Sequence, residues 1–411
     1  MTHRATRPLA AAIGVASALA GGQLSAAGFV IPEISVFGLS TANAVVANTD
    51  AIGAIGYNPA LSSFHSGTTL SGGVTLVHPE SRVDPDNGSS TDFQGRDNVF
   101  IPTLQITHQA SDNITLGFGL TVPLGLSTEY PVGTFGTFSD LGLTALHPTK
   151  SKVEVMDLSP TLSYRLNENM ALAVGLDYYR LREVKFDTAA VSNEGDGHGW
   201  GWNASFAYER GPWSLGLAFR SRSSIDIDGT TKVGPFSAPA AAELVMPWRA
   251  QIGVRYEATN ELALEFDITR TGWNSFDVLT IDNPLVPVIS TNQWDDNTAY
   301  RFGGTYQLSP ATELRFGYSY DERAGDLTYY SARTADSDRH LFSIGVGHDL
   351  GDGLMLEAGY MYVHFEDVNL SGRSYLAQLP GNTDPNGTDA YAGEYQTDVH
   401  MFGLGVSKQF N

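Results

Sequence analysis

Residues 113–125 read Asn-Ile-Thr-Leu-Gly-Phe-Gly-Leu-Thr-Val-Pro-Leu-Gly, and this alternation decides the fold. A strand turns successive side chains to opposite faces. Ile114, Leu116, Phe118, Leu120, Val122 and Leu124 therefore share one side, while Thr115, Gly117, Gly119 and Thr121 share the other. The same period returns at Leu172 to Tyr178, Trp213 to Phe219, Leu262 to Ile268, Leu314 to Tyr320 and Phe402 to Phe410. The opposite faces of these stretches carry Asp177, Arg220, Glu265, Asp267, Arg315, Gly403 and Gly405. Fourteen such stretches follow residue 67. A soluble sheet alternates too, but so many strands with a polar face of Gly, Ser, Thr and charge predict a closed barrel, apolar outside and wet or ligand-lined within. The expected fold class is all-β, a 14-stranded antiparallel transmembrane β-barrel.

Connection lengths support closure. Short turns fall at Ser111-Asp112, Asn167-Glu168-Asn169, Gly211-Pro212, Thr259-Asn260, Ser309-Pro310 and Gly351-Asp352-Gly353. Long loops are expected at about 84–97, 125–150, 187–198, 222–246, 271–297, 322–338 and 367–395. Six turns and seven loops put both ends of an even-stranded barrel on the periplasmic side.

The first 26 residues have the form of a secretory leader: basic Arg4 and Arg7, an apolar core from Leu9 to Ala20, and small residues at Leu24-Ser25-Ala26. Twelve apolar residues fall short of the about 20 that a spanning helix needs. Residues 27–67 do not alternate; their Phe29, Val30, Ile31, Ile34, Val36, Phe37 and Leu39 favour a plug, or hatch, over a solvated tail, with helical hints at Ser40 to Ala47. The expected division is 1–26 leader, 27–67 hatch and 68–411 barrel.

Only 17% of residues are charged, and 44 of 411 are glycine. The formal charge of −21, or −23 once Arg4 and Arg7 leave with the leader, excludes nucleic acid, whose binding needs a basic face. With no cysteine there is no disulfide framework, thiol nucleophile or zinc–cysteine site. Neither Gly-x-Ser-x-Gly nor His-Glu-x-x-His occurs, and the histidines lack metal-ligand spacing. Asp84-Pro85-Asp86-Asn87-Gly88 lacks the closing glutamate of a calcium loop. No enzyme activity, metal or cofactor is expected.

At the plug and across the last third, the residues resemble the FadL family of outer-membrane transporters for long-chain fatty acids and other hydrophobic compounds. Ala27-Gly28-Phe29 looks like that family's mature N-terminus, and Asn58-Pro59-Ala60 is similar to its hatch triplet. Pro247-Trp248 with Gly253 and Tyr256, then Trp273-Asn274-Ser275-Phe276-Asp277, resemble its proline–tryptophan strand and the loop entry after it. Gly303 to Glu322 and Asp336-Ser337-Asp338-Arg339 fit the elements that follow. The chain ends Phe410-Asn411 rather than on a terminal aromatic, and the aspartate–arginine element lacks a preceding isoleucine–proline.

The resemblance implies a monomer in the outer membrane of a Gram-negative bacterium, among outer-membrane lipid and lipopolysaccharide. It implies a long-chain fatty acid as partner, or another hydrophobic small molecule such as an aromatic hydrocarbon. A general porin and a barrel lipid hydrolase are the rival readings. The loop residues Phe135, Phe138, Leu141, Leu143 and Leu146 are expected to form an external capture groove, or else a small core of the loop's own. Alternation puts Arg220, Arg249, Arg255, Arg301 and Arg315 in the lumen, as head-group ligands or as partners of acids such as Glu265, Asp267 and Glu357. By resemblance the substrate leaves sideways at a kink in the third strand. Pro123 cannot donate a ladder hydrogen bond there. Gly117 and Gly119 either weaken that strand or give the plug room.

Overall fold

The computed structural model describes residues 29–95, 98–370 and 390–410; the leader, Ala27 and Gly28 lie outside them. Fourteen strands form the wall: β1 (Thr68–Pro85), β2 (Val99–Ser111), β3 (Ile114–Glu129), β4 (Pro148–Asn167), β5 (Met170–Thr188), β6 (Val191–Arg210), β7 (Trp213–Arg220, resuming as Ser223–Val233), β8 (Phe236–Met246, resuming as Arg249–Glu257), β9 (Leu262–Thr271), β10 (Asn297–Ser309), β11 (Thr312–Asp321), β12 (Arg339–Asp349), β13 (Leu354–Phe365) and β14 (Gly393–Phe410). Neighbours pair antiparallel, and β14 closes on β1 from Thr68↔Phe410 to Pro85↔Gly393. The period-two rule holds residue by residue: Val174 is 58% exposed and Ala173 4%. Exposed Leu, Val, Ile and Phe encircle the outside, which is a lipid-facing surface turned inside out relative to a soluble core.

The six short turns lie where expected, but two of the seven long loops do not exist. β5 runs to Thr188 and β6 starts at Val191, while β7 and β8 meet across Gly234-Pro235. In the β7 extension Ile225 and Ile227 stay inward and buried while Ser224, Asp226 and Asp228 point out. Beyond the membrane the outward face meets water, so alternation persists there with polar residues that read as loop. A hairpin of Val278–Asp282 and Val288–Thr291 widens this overhang by pairing with β8 at Ala241↔Asp282.

The end with the long connections is capped by a core of loop residues and adjoining strand ends, among them Phe93, Tyr130, Phe135, Phe138, Tyr330, Tyr391 and Tyr395. Phe135 and Phe138 are thus cap core rather than an open groove. Phe135 caps the N-terminus of a five-residue helix, Gly136–Asp140, and Phe138 is the one buried residue within it. Of the five groove residues only Leu141 stands exposed, with Leu143 and Leu146 half-buried. His147 seals this core: its Nε2 accepts from the Phe135 N–H at 3.1 Å, and its ring lies 5.7 Å from Phe135 and 5.5 Å from Phe138.

Residues 29–66 lie inside the wall. Their helix is Val36–Ser40, N-capped by Ser35, whose side chain accepts from the Gly38 N–H at 2.9 Å. It lies earlier than the Ser40 to Ala47 hint because Ala42 and Asn43 adopt left-handed φ of 49° and 64° and end it. Much of the glycine excess is explained here, since inward glycines let the plug touch wall backbone. A Cβ at Gly303 would stand 2.8 Å from the Thr41 carbonyl oxygen and 2.9 Å from the Ala44 Cβ. One at Gly216 would collide with the Val46 carbonyl.

Two outcomes follow from this packing. Gly216→Leu should assemble as a barrel but seat its plug poorly, which raises ion conductance in planar bilayers several-fold; wild-type conductance would refute the fit. Burial first, and the charge of Arg333 in addition, hold His147 below the usual imidazole range. Above about pH 6.5 both open and closed caps carry a neutral ring. As pH falls below that, the open cap gains a proton that the closed cap resists, so closure weakens and then levels off below the depressed value. Protection of residues 130–147 from hydrogen exchange, taken relative to the intrinsic rate at each pH, should therefore fall as pH drops from 7.5 to 5.5, and should lose that pH dependence in His147→Gln.

Candidate ligand route

The plug is held by lumen carboxylates that sequence alone would assign to arginines. Asp267 Oδ2 accepts from the Val45 and Val46 N–H groups at 2.9 and 3.0 Å, and Glu265 Oε1 accepts from the Ala47 N–H at 2.7 Å. Two acids two residues apart on β9 face the same way, so they engage three consecutive amides. Asn58 is fully buried: its Nδ2 donates to the Val46 and Phe206 carbonyls at 2.8 and 3.1 Å, and its Oδ1 caps the Ala60 N–H at 3.0 Å. Pro59 opens a short 3₁₀ turn, and its carbonyl accepts from Ser163 Oγ at 2.8 Å. Asn58, Pro59 and Ala60 therefore rivet the plug to β4 and β6.

Four of the five lumen arginines have acid partners. Arg220 bridges Asp157 (3.0 Å) and Asp177, Arg255 meets Asp50 at 2.8 Å and Glu257 at 3.4 Å, and Arg301 meets Asp321 at 3.3 Å. Arg315 meets Glu357 at 2.6 Å and lies over the Phe37 ring of the plug at 4.0 Å. The Arg249 side chain has neither a hydrogen bond nor an ion pair among the described residues. It lies in the wall of a cavity of about 30 Å³ with Val30, Thr121, Pro123 and Arg220, and of a polar one of about 20 Å³ with Asn43, Tyr57 and Arg301.

Above the plug lies an apolar cavity of about 100 Å³ under the β5–β8 overhang, walled by Phe29, Val153, Ile227, Leu244, Phe276 and Ile281 among others. Phe29 forms its floor inside an aromatic cage, 5.0 Å from Trp273, 5.1 Å from Phe276 and 5.3 Å from Trp294. Arg333 closes the cavity from the cap side. It donates to the Lys150 carbonyl (3.2 Å), Ser151 Oγ (2.8 Å) and the Asp187 carbonyl (2.6 Å), packs over Phe186 at 4.0 Å, and leaves its buried Nε without a partner. It has no ion pair among the described residues; burial lowers its guanidinium to about 10, so it stays cationic at neutral pH. Sequence reasoning missed Arg333 because it belongs to a long loop, where strand phase says nothing of which way a side chain points.

The wall parts beside the plug's N-terminus. β2 and β3 pair only as far as Leu104↔Leu120; beyond that, Val99–Thr103 pair with β1 alone. The β3–β4 register slips between Thr121 and Leu124. Pro102 and Pro123 stand on the two sides of the parting, and neither has an N–H to bridge it. The plug takes up part of the loss: the Ile31 N–H donates to the Pro123 carbonyl at 2.9 Å and the Gly125 N–H to the Phe29 carbonyl at 3.0 Å. Pro123 is thus at the irregularity. Gly117 and Gly119 are not: they keep regular register with both neighbours and face Ile55 of the plug, 3.1 and 3.7 Å from where their Cβ atoms would be.

Comparison with known proteins accords with this geometry. The model of the family described as outer membrane protein transport protein (OMPP1/FadL/TodX) matches residues 17–410. Outer membrane protein P1 of Haemophilus influenzae is 25% identical over 97% of this chain and 98% of its own length. A long-chain fatty acid transport protein of Escherichia coli (strain CFT073) is 23% identical over 97% and 98%. Among solved structures, a Pseudomonas aeruginosa FadL homologue superposes with a TM-score of 0.81 at 18% identity, covering 93% of this chain and 100% of that one. The Pseudomonas putida toluene transporter TodX gives 0.69 at 16% identity, over 92% and 98%. A barrel of matching architecture, matched by the family model over nearly its whole length, places the chain in the outer membrane as a member of the FadL/TodX family, transporters of hydrophobic compounds rather than enzymes.

Proposed function

We propose that the chain takes up long-chain fatty acids passively, holding them in the apolar cavity above the plug and releasing them through the parting between β2 and β3. The cavity beneath Arg333 carries the reading. Its walls suit an alkyl tail, each buried CH₂ contributing roughly 0.8 kcal/mol, and the guanidinium over it is buried without an acid. A cation so placed favours a carboxylate over a hydroxyl or hydrocarbon. The curated relative named a long-chain fatty acid transport protein supports the same class.

From the cavity the path runs past Phe29 into the small space at Arg249, Thr121 and Pro123, on the inner side of the parting. The plug acts here as the hatch: retreat of Phe29 and Val30 would open the cavity floor and uncover the β3 edge together, because Phe29 lines the cavity and its carbonyl accepts from Gly125, while its neighbour Val30 bridges Leu124. No phosphate-cradling motif is present in the sequence, so a gradient and the membrane's capacity for apolar chains supply the drive.

A second reading is uptake of aromatic hydrocarbons, favoured by the ring cage of Trp273, Phe276 and Trp294. The two readings separate on the head group. Arg333→Gln should weaken oleate binding about tenfold, the effect of losing roughly 1.4 kcal/mol from a charge-assisted contact, and leave toluene binding unchanged. Quenching of tryptophan fluorescence in detergent-solubilised protein measures both. Oleate affinity untouched by the substitution would defeat the carboxylate reading, and tight toluene binding without oleate binding would establish the second.

A further inference from the structure

The membrane-facing side of the parting has a feature that the passage reading leaves unused. A crevice of about 650 Å³ runs along the outer surface there, walled by Phe100, Pro102, Leu104, Leu120 and Met156, with Arg182 at its rim. We propose that this crevice is an exit berth for an anionic amphiphile, in which Arg182 takes the carboxylate of the departing substrate while its tail lies along the apolar wall. The proposal rests on the lateral-release reading and extends it to the outside of the barrel.

Arg182 is set apart by the local fold. The β4–β5 register skips it, passing from Val155↔Leu181 to Glu154↔Glu183, and the β5–β6 register passes from Leu181↔Gly197 to Val184↔Gly195. A bulge aims a side chain away from the ladder, and Arg182 is exposed. Its cationic neighbours are all engaged. Arg180 pairs with Asp196 at 2.6 Å, while Lys152 and Lys185 share Glu183 at 2.5 and 3.1 Å. Arg182 has no hydrogen bond or ion pair among the described residues. An exposed arginine held without an acid, beside a break in the ladder, has the charge complementary to a leaving carboxylate.

Its height fits the same role. Outward positions on β5 run Leu172, Val174, Leu176, Tyr178, Arg180 and Arg182. Tyr178 packs on Trp200 with ring centroids 4.7 Å apart, marking the aromatic girdle where hydrocarbon gives way to head groups. Arg182 stands two outward positions beyond it, at the level where a carboxylate keeps its hydration while its tail enters the leaflet. Glu154 lies in the same wall, 8% exposed, and its carboxylate opposes a lasting hold, which suits a berth that must empty.

The test uses the full chain in phosphatidylethanolamine liposomes, with entry of oleate and of oleyl alcohol measured in parallel, since the two share a tail and differ in head group. Arg182→Gln and Arg182→Glu should slow oleate entry on the order of tenfold, the second more than the first, with Arg182→Lys near wild type. Oleyl alcohol entry and oleate binding in detergent should not change. Oleate entering at the wild-type rate in Arg182→Glu would overturn the berth, as would equal slowing of the alcohol, which marks a structural effect. If the wild-type chain passed neither probe, the passage reading itself would fall.

Discussion

A backbone amide or carbonyl left unpaired in hydrocarbon costs several kcal/mol, and this requirement shapes the whole molecule. It forces the strands to close, β14 onto β1 over eighteen consecutive residue pairs. It also gives meaning to the place where pairing stops. Between Val99–Thr103 and the upper part of β3 the ladder parts, and the two prolines there reduce the number of donors that would otherwise be orphaned. The plug supplies two of the missing bonds through Phe29 and Ile31. The segment that fills the lumen thus also mends the wall beside it, and withdrawal of its first residues would expose an edge that the membrane penalises.

The lumen distributes its charges by the same logic. Buried acids cost least when hydrogen-bonded, and the lumen-facing acids of the wall strands divide between two tasks. Asp267 and Glu265 hold plug amides; Asp157, Asp177, Asp321 and Glu357 neutralise arginines. What is left over is informative: Arg249 below the cage and Arg333 above the cavity have no acid. They lie at either end of the proposed route, with Phe29 between them. An unmatched buried cation is expensive to retain, and a ligand carboxylate would lower that cost whenever it occupies the site.

The sequence made the membrane face legible and left the rest harder to read, for definite physical reasons. Lipid demands apolar side chains at every outward position, so Leu172, Val174 and Leu176 announce their strand. Past the girdle that demand lapses, and Asp226 and Asp228 on a regular strand look like loop. Phe135 and Phe138 were visible as apolar loop residues, but whether they face water or each other depends on residues as distant as Tyr391. Inward arginines were assigned by phase, whereas their partners lie across the lumen on other strands. The parting was foreshadowed only by Pro123, because an absent ladder depends on both strands and Pro102 gave no signal by itself.

On the proposed reading, a passive conduit also has to release what it holds. A tail in the cavity gains most of what it would gain in the leaflet, since both are apolar, so the tail term nearly cancels between the two. The head group then decides the direction. If Arg333 held a carboxylate with all five of its N–H groups, the substrate would stay; instead three of them already serve Lys150, Ser151 and Asp187, and only the Nε hydrogen and one Nη2 hydrogen remain. Two remaining donors orient a carboxylate and hold it less firmly than an unclaimed guanidinium would. On the proposed reading, the balance between entering and leaving, which any channel must strike, would be set by how much of a single guanidinium its neighbours have already claimed.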